Sequence, residues 1–239
     1  MEAARLDAIY SMLKRIAASP WADRLVLCGS VALRAQLGGA ARMPADIDLI
    51  AVPYLPELWD RSTAELRDGL IGLADDPSRV QDRHLWEYND APGLRLGFPF
   101  GTEAEPDLWV MVDVVLGEDM PLPPETLEIM PGVRMLAVPP ALALASKLRW
   151  LESEENPKAK DLYDAVLLAE HTTVDPVVVR SLLRRDIGAA ADGFGPRSAE
   201  RWTVDWDGLI RTHPTLAGDV ESWRERLIKG LWRSFSDGT

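Results

Sequence analysis

The chain has 239 residues, with 26 basic and 38 acidic side chains for a formal charge of −12, and 47% of its residues are hydrophobic. Acidity of that size repels a polyanion at long range, which excludes indiscriminate coating of nucleic acid, while the apolar content excludes a disordered acidic tail. No stretch approaches the ~20 uninterrupted apolar residues of a membrane helix, and the opening MEAARLDAIYSMLKR lacks the basic-then-apolar order of an export signal, so a cytoplasmic protein without a membrane partner is expected. Cys28 is the single cysteine; it follows the apolar run RLVL and reads as a small buried hydrophobe in a reducing compartment.

Leu6, Ile9, Tyr10, Leu13 and Ile16 recur every three or four positions, which predicts a helix over 3–18 ending at Ser19-Pro20. A short buried strand over 24–28 follows, then the tight turn Gly29-Ser30 and a helix over 31–37 stopped by Gly38-Gly39. DIDLIAV (46–52) predicts a strand with carboxylates at its leading end, and 55–73 predicts a helix. The Asp-, Pro- and Gly-rich stretch 74–106 shows one strand pattern, 94–98. LWVMVDVVL (108–116) is the most strand-like run of the chain, and 133–138 is another strand. Prolines cluster at 121, 123 and 124 and again at 139 and 140; beyond them 141–151, 158–170, 176–185 and 220–235 read as helices, with a Gly-rich interval at 188–196. The expected organisation is α+β: strands and helices together over 1–138, followed by an all-helical domain over 139–239.

Charge is divided along the same line. Residues 1–140 carry 12 basic and 22 acidic side chains and residues 141–239 carry 14 and 16, and Lys14 is the single lysine before Lys147. The almost neutral second part, with Lys147, Lys158, Lys160 and Arg184-Arg185, is therefore the expected face for any nucleic acid.

Three features carry chemistry. Asp46 and Asp48 are spaced i, i+2, so on a strand both carboxylates point to one face and can meet one small cation, and magnesium takes hard oxygen ligands. Gly29 has no Cβ to hold a phosphate off the backbone, and the Ser30 hydroxyl with the amides of the helix that follows can donate to phosphate oxygens. Asp113 stands alone among Trp, Val, Met and Leu, and a carboxylate there must be paired, protonated or bound to metal. If its strand lies beside the 46–52 strand, three carboxylates converge on a site of the kind that supports in-line phosphoryl displacement. A cation near the phosphates is expected from Arg34 or Arg42. The plainer readings are a Ser30 helix cap and solvated carboxylates at a strand start.

These motifs resemble those of the nucleotidyltransferase superfamily related to DNA polymerase β. AVPPALALASKLRWL, followed by PKAKDLYDAVLL, narrows the resemblance to the AbiEii/AbiGii toxin family with its MenT-like members, over 24–52 and 107–170. The resemblance implies an NTP-using, magnesium-dependent transferase with one or two ions. In it the first domain is a nucleotidyltransferase catalytic domain with a mixed sheet flanked by helices, Asp46, Asp48 and Asp113 hold metal, Asp113 helps deprotonate the acceptor hydroxyl, and Gly29, Ser30 and Lys147 grip the triphosphate, with Arg34 or Arg42 as the further cation. Asp161 orients Lys147, positions the acceptor or braces its helix, and Asp164 and Lys160 support. Lys160 stands where the family often has Arg, preserving charge without the bidentate fork. The implied acceptor is the 3′ end of tRNA and the implied partner a cognate antitoxin. Rival readings are transfer to a small molecule or a protein, and a non-catalytic nucleotide-binding module. His84, His171 and His213 have no metal-ligand spacing, and the Trp/Arg-rich segments near 200–206 and 222–233 read as helices packing indole inward, with stacking against RNA as the alternative.

Overall fold

The computed structural model describes residues 2–52, 59–88, 91–101, 106–118, 120–213 and 216–236. The chain divides into two compact units, Met1–Val138 and Pro139–Thr239.

In the first unit, α1 (Glu2–Ala17) precedes β1 (Leu25–Cys28), α2 (Gly29–Leu37), β2 (Ile47–Ala51) and α3 (Trp59–Ile71). Five further strands follow: β3 (Gln81–Tyr88), β4 (Ala91–Pro99), β5 (Trp109–Leu116), β6 (Glu125–Met130) and β7 (Val133–Ala137). Among the described residues the strands form one seven-stranded mixed sheet in the order β3-β4-β5-β2-β1-β7-β6. β2 runs parallel to β5 and β1 parallel to β7, and the remaining neighbours are antiparallel.

Alternation along the central strands decides which face is the core. Val110, Val112 and Val114 of β5, Ile47 and Leu49 of β2, and Leu25 and Leu27 of β1 are sealed from solvent, in one cluster with Ile9, Met12, Leu13 and Ile16 of α1 and Leu66 and Leu70 of α3. Each such side chain contributes about 1.5–3 kcal/mol of hydrophobic stabilisation. This burial pins the register, because a slip of one residue would turn every valine of β5 to the opposite face.

The predicted helix over 55–73 is described from Trp59; its first residues, 55–58, lie outside the described residues. Two strands are absent from the sequence reading. β3 and β6 are the two edges of the sheet, and an edge strand with one neighbour tolerates the polar composition of QDRHLWEY and ETLEIM, which hides the alternation.

The second unit is helical: α4 (Pro140–Ser153), α5 (Ala159–His171), α6 (Pro176–Ile187), α7 (Trp206–Thr212) and α8 (Val220–Phe235). α7 was not expected as a separate element. Pro140 opens α4 at a position where a missing amide costs nothing, Asp175 accepts from the Val177 amide at the start of α6, and Asp219 caps α8 through the Ser222 amide. The expected inward packing of indole is found for Trp202, Trp206 and Trp223 but not for Trp232, which is 47% exposed; Trp206 and Trp223 have ring centroids 5.5 Å apart, and Tyr163 of α5 stands 4.8 Å from Trp223. Gly230 lets α8 approach α5, since a Cβ there would lie 2.9 Å from both Ala169 Cβ and its carbonyl oxygen. Among the described residues no helix is long and apolar enough to cross a membrane.

Candidate active site

The face of the sheet opposite the valine core carries polar groups in a row. Arg95 of β4 is paired with Asp113 of β5, Asp113 with Asp48 of β2, and Asp48 with Cys28 of β1. Residues directly opposite on adjacent strands share a face, so the register delivers Arg95, Asp113, Asp48 and Cys28 side by side. Asp46 lies two residues before Asp48, just ahead of β2. One carboxylate oxygen from each of Asp46, Asp48 and Asp113 lies within 4.8 Å of the others. The conditional expectation that the two Asp-bearing strands are neighbours is met.

Like charges directly opposite on adjacent strands destabilise a sheet. Arg95 answers that cost. Its Nε donates to Asp113 Oδ1 at 2.8 Å and its Nη2 to Oδ2 at 2.5 Å, a two-point fork on a carboxylate that is only 5% exposed. Of the three resolutions open to a carboxylate in that β-run, pairing is what the described residues supply. The hydrogen bond to Asp113 raises the Arg95 pKa above its ordinary value against an opposing effect of burial, and the charges of Asp113, Asp46 and Asp48 add to the rise. Arg95 was missed by the sequence reading. Its only local signal is a single cation inside the apolar run LRLGF, and its partner is 18 residues away.

Gly29 adopts φ +65, a conformation that L side chains rarely take. A Cβ there would lie 2.7 Å from Asp48 Cγ and 2.9 Å from Asp48 Cβ, so the missing side chain is what lets the β1–α2 turn close over the Asp48 carboxylate. Cys28, at the N-cap of α2, supplies no side-chain hydrogen bond to the first turn, and Ser30 in that turn is buried. Backbone amides at a helix start are natural donors to anionic oxygen. Arg34, one turn on, points its Nη1 at the Ala41 carbonyl, 3.4 Å away.

The donor set fits a hard divalent cation. It is made of carboxylate oxygens only, converging from two strands, next to a backbone cradle that a Cβ would fill.

In the second unit Lys147 of α4 is buried, and its Nζ donates to Asp161 Oδ1 at 2.6 Å and lies 3.2 Å from Asp164 Oδ2, with the Trp150 ring centroid at 4.9 Å. Asp161 and Asp164, at i, i+3 on α5, thus present one face to the ammonium, which is the arrangement expected if Asp161 orients Lys147. Lys160 is exposed on the same helix. Nearby Glu154 has its carboxyl pushed up, chiefly by burial, against the pull of Lys158.

The family model described as "Nucleotidyl transferase AbiEii toxin, Type IV TA system" matches residues 11–231. No curated protein sequence matches. Among solved structures, the nucleotidyltransferase toxin MenT4 of Mycobacterium tuberculosis H37Rv aligns with a TM-score of 0.60 at 21% identity, covering 96% of this chain and 82% of that one. JHP933 from Helicobacter pylori aligns with a TM-score of 0.57 at 15% identity, covering 99% of this chain and 92% of that one. At these identities the two structures establish a shared fold.

Proposed function

The chain belongs to the AbiEii family of nucleotidyltransferase toxins, and from that premise we propose that it transfers a nucleoside monophosphate from an NTP to the 3′ end of tRNA with magnesium bound at Asp46, Asp48 and Asp113. The observation that carries the reading is the convergence of those three carboxylates beside the Gly29 turn. In the reaction the acceptor hydroxyl attacks the α-phosphorus, the bond to the bridging oxygen toward the β-phosphorus breaks, pyrophosphate leaves, and the hydroxyl proton passes to a base. Magnesium at the triad supplies electrostatic stabilisation of the charge that develops on the phosphoryl oxygens.

The chain's own residues do the rest. The Gly29-Ser30 turn donates backbone and hydroxyl hydrogens to the triphosphate, and Arg34 adds positive charge near that turn. Asp113, on the strand beside Asp48, is the carboxylate assigned to the acceptor proton; before metal binds, the Arg95 fork holds it in place. The family motif assigns Lys147 to the triphosphate and Asp161 to orienting Lys147, with Asp164 and Lys160 in support. An antitoxin encoded alongside would restrain the activity.

Incubation with each α-labelled NTP, magnesium and total cellular RNA tests the reading. Label should appear in an RNase-sensitive band of tRNA size, and Asp48→Asn should abolish it. A labelled product that resists RNase and runs as a small species would move the acceptor to a small molecule, and growth inhibition unchanged by Asp46→Ala with Asp48→Ala would favour a non-catalytic module.

A further inference from the structure

Arg95 is the counter-charge of the Asp113 carboxylate, which stands beside the carboxylates of Asp46 and Asp48. The guanidinium engages both oxygens of Asp113, the same atoms through which Asp113 would bind a metal. Its own side chain is 46% exposed, whereas that of Asp113 is 7% exposed, so the cation has room to withdraw and the anion does not.

We propose that Arg95 is the resident counter-ion of the carboxylate triad: it competes with the divalent cation for Asp113 and thereby holds the affinity of the nucleotide-free site for metal low. This rests on the reading that the triad is the metal site. Electrostatics gives the size of the effect. A unit positive charge about 6 Å from a divalent ion weakens its binding roughly tenfold even at the dielectric constant of water. Before metal arrives, Arg95 is also what makes a buried Asp113 tolerable opposite Asp48, and the geometry therefore assigns one side chain to preserving the empty sheet and to limiting its loading. Arg95 acts through Asp113 and is a positioning residue.

The test is titration of the full chain with Mn²⁺ alone, read by electron paramagnetic resonance of free Mn²⁺ and by the melting temperature at each concentration. Arg95→Met should bind Mn²⁺ more than tenfold more tightly than the parent, since release of the fork on Asp113 adds to the loss of the bare charge, and should melt lower without metal but gain more from it, because the ion then compensates Asp113. Arg95→Lys keeps the charge and loses the fork, so it should bind a few-fold more tightly. In an Asp113→Asn background the Arg95→Met effect should shrink to that of the bare charge. If Arg95→Met is unstable, Arg95→Lys decides alone. Equal or weaker Mn²⁺ binding by the folded variants would overturn the counter-ion role and leave Arg95 a brace between β4 and β5, with the metal reading intact. Absence of Mn²⁺ binding in parent and variants alike would overturn the metal reading, and this proposal with it.

Discussion

Gly29→Ala separates the two things this glycine does, and the structure supplies a control. The substitution places a side chain at φ +65, where an L residue costs roughly 1–2 kcal/mol. It also drives a methyl into Asp48 Oδ2 and to 2.7 Å from Asp48 Cγ, where ordinary contact begins at 3.4 Å, so the Asp48 carboxylate must retreat by well over 0.7 Å. Displacements near 1 Å at a reacting centre cost on the order of 100-fold in rate. Gly38→Ala carries the first burden without the second, since Gly38 has φ +64 and its Cβ would meet nothing within 4 Å. Gly38→Ala should lose about 1–3 kcal/mol for its backbone conformation alone, and Gly29→Ala should lose more than its backbone cost because of the added contact, each seen as a melting temperature lower by several degrees. Only Gly29→Ala should lose label transfer from NTP, by about 100-fold, with wild-type rates in Gly38→Ala. If Gly29→Ala transfers label within about threefold of the parent, the contact between the turn and Asp48 has no part in the reaction.

Lys147→Met removes the ammonium from two buried carboxylates and should cost about 3–5 kcal/mol in urea unfolding, with much of the loss recovered on adding Asp161→Asn and Asp164→Asn; an unchanged midpoint would refute the pairing. Asp161→Asn alone leaves Asp164 on Lys147, so it should melt within a few degrees of the parent and, if Asp161 orients Lys147 for the reaction, still lose transfer. Glu170 accepts two hydrogen bonds from Arg226, which hold its carboxyl below the ordinary value of 4.5 against the opposing effect of burial. A lowered carboxyl stabilises the fold above its unfolded value and ceases to do so as pH falls through the folded one. The difference in melting temperature between the parent and Glu170→Gln should therefore be present at pH 7 and begin to narrow as pH falls below about 4.5, and a gap of constant size throughout the acid range would contradict it.

Asp113 shows where sequence reasoning reached its limit in the site. An isolated carboxylate in a run of buried apolar residues announces that it needs a partner, because desolvation of the charge is costly wherever the strand lies. The candidate partners were cation, proton and counter-charge, and local sequence does not choose among them. Arg95 chooses, through a strand pairing that joins positions 95 and 113 across a region whose Pro and Gly content obscured its strands. Lys147 is the opposite case: the helix carrying it and the i, i+3 pair Asp161 and Asp164 were legible, since helical spacing alone puts both carboxylates on one face. That both reach the same ammonium, and that the ammonium is buried, came from the packing of α4 with α5.

What the chain specified by itself is what short-range physics controls. Spacing of three and four set α1, α5 and α8, alternation set β2 and β5, and the Gly-Ser and Asp-x-Asp motifs named the candidate residues for phosphate and metal. Strand order, the polar edge strands β3 and β6, and the row from Arg95 through Asp113 and Asp48 to Cys28 belonged to the tertiary structure. The physical reason is that a sheet is closed by hydrogen bonds between segments tens of residues apart, so the neighbour of a strand depends on which buried faces can be covered together. No window of sequence contains that information, and the candidate site depends on it.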